Sequence, residues 1–273
     1  MYSLSSVLKR LILIHVLATQ LLHINSELSL NTTNAYLNHK CLVSQGKYKP
    51  GSEYEKLLKL TIKNFYFESG NKEGFTLSGS TTGFSAIHSD NKEGFTLSGS
   101  SSFSAILQCR GDSYGSKCRD CFATAAAALS RRCPWYKGKI IWYDQCLLSI
   151  SPKYSIGQID YDNNFCMFNA KKLGWDFLIT WVTFMDNLTT LATTGDNRTL
   201  YYAGKKQLKD DMLYGMVQCT KDLNTKACEE CLMFNSVHFQ DCLNFRRGAR
   251  FVSRSCTFRF EFYPFIAKSV HII

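Results

Sequence analysis

The cysteine spacing constrains this chain more than any other feature. Cys109-x8-Cys118-x2-Cys121-x11-Cys133-x12-Cys146 is followed 110 residues later by Cys219-x8-Cys228-x2-Cys231-x10-Cys242-x13-Cys256. Two runs of five cysteines in almost the same spacing are a repeat, and long-period repeats take precedence over element assignment. Cys41 and Cys166 each precede one run, so the 12 cysteines divide into two sets of six. We place the first domain at residues 34–155 and the second at 160–265. Each is small enough for disulfides to supply stability that a modest core cannot.

That reading needs an oxidising compartment, and the N-terminus supplies one. Lys9 and Arg10 precede the apolar run from Leu11 to Ala18 and a second pair, Leu21 and Leu22. The pattern reads as a secretory signal peptide, residues 1–26. Its continuous apolar stretch falls short of the roughly 18 residues a membrane span needs, and the best later window, 175–191, is interrupted by Asp176, Asp186 and Asn187. We therefore expect a secreted, extracellular chain with no membrane span. Asn31, Asn187 and Asn197 each open an N-x-S/T triplet, so they are candidate glycan sites.

The formal charge is +10, falling to +8 once the two basic residues of the leader are removed. The lysines and arginines are scattered, with only short pairs such as Lys171-Lys172 and Arg246-Arg247. The excess could favour anionic wall polymers, membrane surfaces or nucleic acid, but the scattered pattern better suits a secreted protein that is simply basic, and no nucleic acid is expected.

The Cys-x2-Cys pairs invite a reading as zinc ligands or redox-active dithiols. The six-plus-six division leaves no cysteine for either, and an extracellular compartment favours disulfides. We expect no metal and no cofactor. Nor does any catalytic constellation stand out: Gly-x-Ser-x-Gly, His-Glu-x-x-His and a phosphate loop are all missing from the sequence. We expect no catalytic residue and no enzyme.

Within each set the elements recur in order. Residues 52–65 carry Ser52 and Glu55 as a capping box before Leu57, Leu58, Leu60, Ile62 and Phe65, which predicts a helix. Its counterpart is 175–191, with Trp175, Leu178, Ile179, Val182, Met185 and Leu188 at helical spacing. The Cys-x2-Cys segments open second helices over 123–132 and 229–243, and cysteines three apart share a helix face. Residues 103–109, 140–151 and 251–263 read as strands. The fold class is α+β: two tandem disulfide-stabilised domains, each with two helices packed on an antiparallel β-sheet.

The repeated Cys-x8-Cys-x2-Cys, with Cys109-Arg110-Gly111-Asp112 and a Tyr263-Pro264-Phe265 near the C-terminus, resembles the plant cysteine-rich repeat secretory protein family. Its unit is the ginkbilobin-homologous, or stress-antifungal, domain, and the resemblance covers essentially the whole mature chain. Six cysteines allow 15 pairings, which the spacing alone leaves open. The resemblance implies Cys41 with Cys133, Cys109 with Cys118, Cys121 with Cys146, Cys166 with Cys242, Cys219 with Cys228 and Cys231 with Cys256. It makes Arg110-Gly111-Asp112 part of a structural signature and not an adhesion tripeptide.

The resemblance also implies a site. Ginkbilobin-type domains that bind mannose use an Asn after the first cysteine, an Arg in a Gly-Ala-Arg strand and a Glu five residues after the last cysteine. The second copy has Arg250 in Gly248-Ala249-Arg250, and Glu261 five residues after Cys256. Met167 stands where the Asn belongs, with Asn169 two further on. The first copy has Leu42, Lys139 or Ile140, and Ser151 instead, so no site is expected there. A turn near 253–256 would set Arg250 directly opposite Glu261, with Cβ atoms roughly 5 Å apart. Such a pair could donate to and accept from vicinal sugar hydroxyls. The plainer alternative is a cross-strand ion pair worth under ~1 kcal/mol. The implied partners are mannose-containing glycans or wall polysaccharide of the apoplast, in a defence role; the alternative is a scaffold that binds an extracellular protein and no sugar.

A shorter repeat lies inside the first domain. Residues 71–80, NKEGFTLSGS, recur unchanged at 91–100, and Phe84-Ser85-Ala86-Ile87 recurs as Phe103-Ser104-Ala105-Ile106. This predicts a duplicated hairpin or loop at a sheet edge, where insertions are tolerated.

Overall fold

The structure, a computed structural model, describes residues 34–70, 95–100, 103–153, 155–194, 200–266 and 271–272, with backbone alone at 95–100 and 271–272. The leader, Asn31, Asn197 and the first copy of the ten-residue repeat lie outside the described residues.

The first repeat contains strand β1 (Tyr36–Lys47), helix α1 (Glu53–Glu68), strands β2 (Phe95–Ser100) and β3 (Phe103–Cys109), helix α2 (Ser116–Arg132), and strands β4 (Tyr136–Tyr143) and β5 (Cys146–Ser151). The second contains β6 (Asn164–Phe168), α3 (Trp175–Thr193), β7 (Tyr201–Gln207), β8 (Met212–Cys219), α4 (Thr225–His238), α5 (Gln240–Leu243), β9 (Gly248–Ser253), β10 (Cys256–Glu261) and β11 (His271–Ile272). The sheets run β1-β4-β5-β3-β2 and β6-β9-β10-β8-β7-β11. Both repeats thus thread the same antiparallel order, the second with one added parallel edge strand. The second copy of the ten-residue repeat supplies β2, an edge strand paired with β3.

Local chemistry accounts for the helices. Ser52 caps α1 by accepting from the Glu55 amide at 3.4 Å, while the Glu55 carboxylate accepts from the Gly51 amide at 2.6 Å, one residue before the usual capping-box partner. Helix α2 begins at Ser116, so Cys118 and Cys121 lie in its first two turns. Its buried Ala125 and Ala128 let it lie close to the sheet. Asn224 caps α4 through the Ala227 amide at 2.8 Å. The helix expected over 229–243 divides at Phe239 into α4 and α5.

Helix α3 corrects one expectation. Its buried face is Trp181, Phe184, Met185, Leu188 and Ala192, seated on Gly215 of β8, where a Cβ would meet Phe184 at 2.5 Å. Trp175, Ile179 and Val182 of the expected core stripe are exposed, Trp175 and Ile179 each by 74%. Two apolar stripes at helical spacing run along the segment, so periodicity alone does not single out the buried one.

Six disulfides join Cys41 to Cys133, Cys109 to Cys118, Cys121 to Cys146, Cys166 to Cys242, Cys219 to Cys228 and Cys231 to Cys256. In each repeat one cysteine of the Cys-x2-Cys pair ties the helix to the strand before it, and the other ties it to the strand after the hairpin. Bridges of this kind contribute about 2–4 kcal/mol apiece.

Every residue of β3 and of β5 is buried. An antiparallel sheet with one wet face would alternate; here helices cover one face and the other repeat covers the opposite one. Ile140, Trp142, Leu147 and Val252 form the apolar contact between repeats, with Leu37, Leu42 and Phe165 packed on it. The Trp142 Nε1 donates to the Ser253 carbonyl at 3.0 Å, and Gln218 Nε2 donates to the Cys109 carbonyl at 2.9 Å.

Candidate functional site

At the outer end of β6, β9 and β10 the chain forms a cleft of about 220 Å³. Its lining brings together Asn169, Arg250 and Glu261, and adds Arg259, Phe168 and Tyr263. The strand register explains which groups meet. Met167 pairs with Arg250, Arg250 with Arg259, and Glu261 with Gly248. Arg250 and Glu261 are therefore diagonal neighbours and not directly opposed as expected.

The difference is a shift of two residues, set by the hairpin loop. Ser253 Oγ accepts from the amides of Ser255 and Cys256 at 3.0 and 2.9 Å, which makes Arg254-Ser255 the two-residue loop. A shift of two preserves the face, so both side chains still reach the cleft. Arg259 was not singled out from the sequence; its place two residues before Glu261 is the signal that puts it on the same face. Gly248 is required in its own right: the Glu261 carboxylate lies over it, and a Cβ there would stand 2.0 Å from Oε2.

Arg250 and Glu261 each have a different ionic partner. Glu261 Oε1 accepts from Arg259 Nε at 3.1 Å, and Arg259 Nη2 donates to the Tyr263 hydroxyl at 2.8 Å. Arg250 Nη1 and Arg259 Nη1 both donate to Asp144 Oδ1, at 2.7 and 3.1 Å, across the boundary between the repeats. The other oxygen of Asp144 accepts from Arg110 Nη1 at 2.9 Å. Burial, then the neighbouring Arg259, lowers the pKa of Arg250, with Asp144 opposing. Burial raises that of Tyr263.

Arg110-Gly111-Asp112 is internal bracing. Arg110 is buried, holds Asp112 through Nε and Nη2, and donates to the Phe265 carbonyl at 3.2 Å. Burial alone would lower its pKa, but Asp112 and Asp144 outweigh it and hold it above the usual value. A Cβ on Gly111 would strike the Tyr201 ring at 2.3 Å.

At the same 110-residue offset, the first repeat has Ile140, Ser149 and Ser151 where the second has Arg250, Arg259 and Glu261. Lys139 is buried on β4, and desolvation pulls its ammonium down to about 8. Among the described residues His39, Cys41 and Cys133 lie close enough to suggest a metal, but the two sulfurs are bonded to each other and offer no thiolate. Asn187 is exposed on α3. No helix among the described residues is long and apolar enough to cross a membrane.

Two disulfide-bonded α+β repeats packed sheet to sheet define a tandem extracellular-type module. The family described as Salt stress response/antifungal matches residues 40–153 and 166–263. Cysteine-rich repeat secretory protein 17 of Arabidopsis thaliana is 50% identical over 97% of this chain and 96% of its own length. Cysteine-rich repeat secretory protein 18 of the same plant is 46% identical over 97% and 96%. The chain belongs to this family of cysteine-rich repeat secretory proteins. The tandem DUF26 ectodomains of the Arabidopsis thaliana cysteine-rich receptor-like proteins PDLP8 and PDLP5 share its fold, each with a TM-score of 0.63. They are 16% and 20% identical and cover 85% and 84% of this chain and all of their own length.

Proposed function

We propose that the chain is a secreted, non-enzymatic apoplastic protein that binds a mannose-type residue of a glycan or wall polysaccharide in the β6–β9–β10 cleft, in a role near defence. One observation carries this reading: the cleft gathers an amide (Asn169), a guanidinium pair (Arg250 and Arg259), a carboxylate (Glu261) and two rings (Phe168 and Tyr263) around about 220 Å³. Sugars need such a set, with hydroxyls met by fixed donors and acceptors and the apolar ring face met by an aromatic. Asn169 supplies the amide by a different route from the family pattern, on the strand end after Phe168, where its backbone N–H donates to the Gly248 carbonyl at 2.8 Å.

Glycan arrays and calorimetry on the mature chain test the reading, with Asn169→Ala and Glu261→Gln beside the parent. We expect sugar binding, weakened about tenfold or more by Asn169→Ala with an unchanged far-UV spectrum. Binding that ignores both substitutions sinks the site assignment. Binding to no glycan favours the second reading, an extracellular protein partner. That reading is supported by the exposed stripe of Trp175, Ile179 and Val182 on α3.

A further inference from the structure

Beside the cleft, beyond the end of the β6–β9 ladder, residues 167–176 and 245–250 carry Lys171, Lys172, Arg246, Arg247 and Arg250 against a single acid, Asp176. Arg250 is held by Asp144 and Arg247 by Asp211 at 3.2 Å. Lys171, Lys172 and Arg246 remain, and the last two face each other in an antiparallel bridge. Like charges directly opposed across strands are destabilising, and no ion pair in the described residues relieves them. Among the described residues the buried Arg246 Nε has no hydrogen-bond acceptor, while its guanidinium lies 3.9 Å from the centroid of Phe168, a ring of the cleft wall. Next to it Phe245 takes a left-handed φ of 60° and carries the edge of the exposed Trp175 ring at 4.6 Å. Strain and unrelieved like charge at one surface point to a ligand that relieves them.

We propose that this basic rim extends the cleft into a groove for an acidic polysaccharide, a polymer whose sugar rings carry carboxylates. This rests on the glycan reading of the cleft and names the polymer. One sugar occupies the cleft against Phe168 and Tyr263, and the carboxylates of its neighbours are bound by Lys171, Lys172 and Arg246, with Trp175 as a further stacking surface. Arginine and lysine side by side suit carboxylates, the one as a fork and the other as a point charge.

The test uses the mature chain with polygalacturonate, the same polymer methyl-esterified, and neutral mannan. Lys171→Gln/Lys172→Gln is compared with a control of equal charge loss on exposed lysines of the first repeat, Lys63→Gln/Lys117→Gln. We expect binding to polygalacturonate that weakens as NaCl rises from about 50 to about 300 mM. It falls about tenfold in the rim variant and little in the control, it is lost on esterification, and mannan binding is unchanged. Mannan binding without polygalacturonate binding overturns the acidic polymer and leaves the cleft reading standing. Equal losses in the two double variants reduce the effect to net charge and also overturn it. Binding to none of the three overturns both readings.

Discussion

Replacing Asp144 by Ala is the most demanding test of how the two repeats are joined. Its carboxylate receives Arg110, Arg250 and Arg259 at 2.9, 2.7 and 3.1 Å, and it is only 12% exposed. Removing one member of a buried ionic cluster costs about 3–5 kcal/mol, because the partners left behind keep their charge without their counter-ion. The lower half of that range applies here. Arg110 keeps Asp112 and Arg259 keeps Glu261, so Arg250 alone loses its only ionic partner among the described residues. We expect a loss of about 3–4 kcal/mol, which for a chain of this size lowers Tm by about 6–16 °C. Equilibrium unfolding in urea with the disulfides intact is the assay, since guanidinium would screen the charges under test. Combining Asp144→Ala with Arg250→Ala should cost about 1–2 kcal/mol less than the sum of the two alone. A loss below about 1 kcal/mol for Asp144→Ala, or full additivity of the pair, would refute the ionic account of the junction.

Two further predictions follow from single positions. Gly248→Ala places a methyl 2.0 Å from the Glu261 carboxylate; it should displace that group and abolish cleft binding in calorimetry while unfolding free energy changes by less than about 1 kcal/mol. Lys139 titrates near 8 in the folded protein against 10.5 for a free lysine. Between those values the unfolded chain holds a proton that the folded one has lost, so stability rises with pH across that window. Lys139→Met should flatten that rise in pH-dependent denaturation and leave the variant more stable than the parent at pH 7.

The fold was legible where covalent spacing or local chemistry fixes it. The cysteine runs locate the helices that carry Cys-x2-Cys, though α2 begins at Ser116 and not at 123 and each of the segments 140–151 and 251–263 divides at a hairpin loop, and Ser52 with Glu55 places the start of α1 within a residue. What could not be read depends on the other repeat. The hairpin register has a local part, the Ser253 hydroxyl accepting from the Ser255 and Cys256 amides, and a distant one, Arg254 bonding Ser149 and Ser155 of the first repeat, which the hairpin sequence does not announce. Asp144 organises the arginines of the second repeat from about 100 residues away in sequence, so nothing near Arg250 announces it. The buried face of α3 could not be picked because two apolar stripes, both at helical spacing, compete along it.

The junction has a further regularity. At the 110-residue offset Asp144 corresponds to Arg254, and Ser149 to Arg259. Asp144 binds Arg259, and Arg254 donates from Nε to Ser149 at 3.2 Å. Each hairpin loop therefore reaches the same strand position of the other repeat, as in an isologous contact between two copies of one fold. The self-equivalent pair Trp142 and Val252 meets in the apolar cluster between them. The two loops have diverged from this common geometry, one becoming an anion and the other a cation. The arms should then contribute unequally. Among the described residues the Arg254 guanidinium bonds only neutral groups, Ser149 Oγ, Ser155 Oγ at 2.8 Å and the Ser155 carbonyl, so Arg254→Ala should cost about 1.5–3 kcal/mol in urea unfolding, less than Asp144→Ala. The arms share no hydrogen-bond partner among the described residues but line one cavity, so the double variant should be additive to within about 1 kcal/mol. Coupling well above that would mean that the arms act as one cooperative unit, and that the contact cannot be divided into separate contributions.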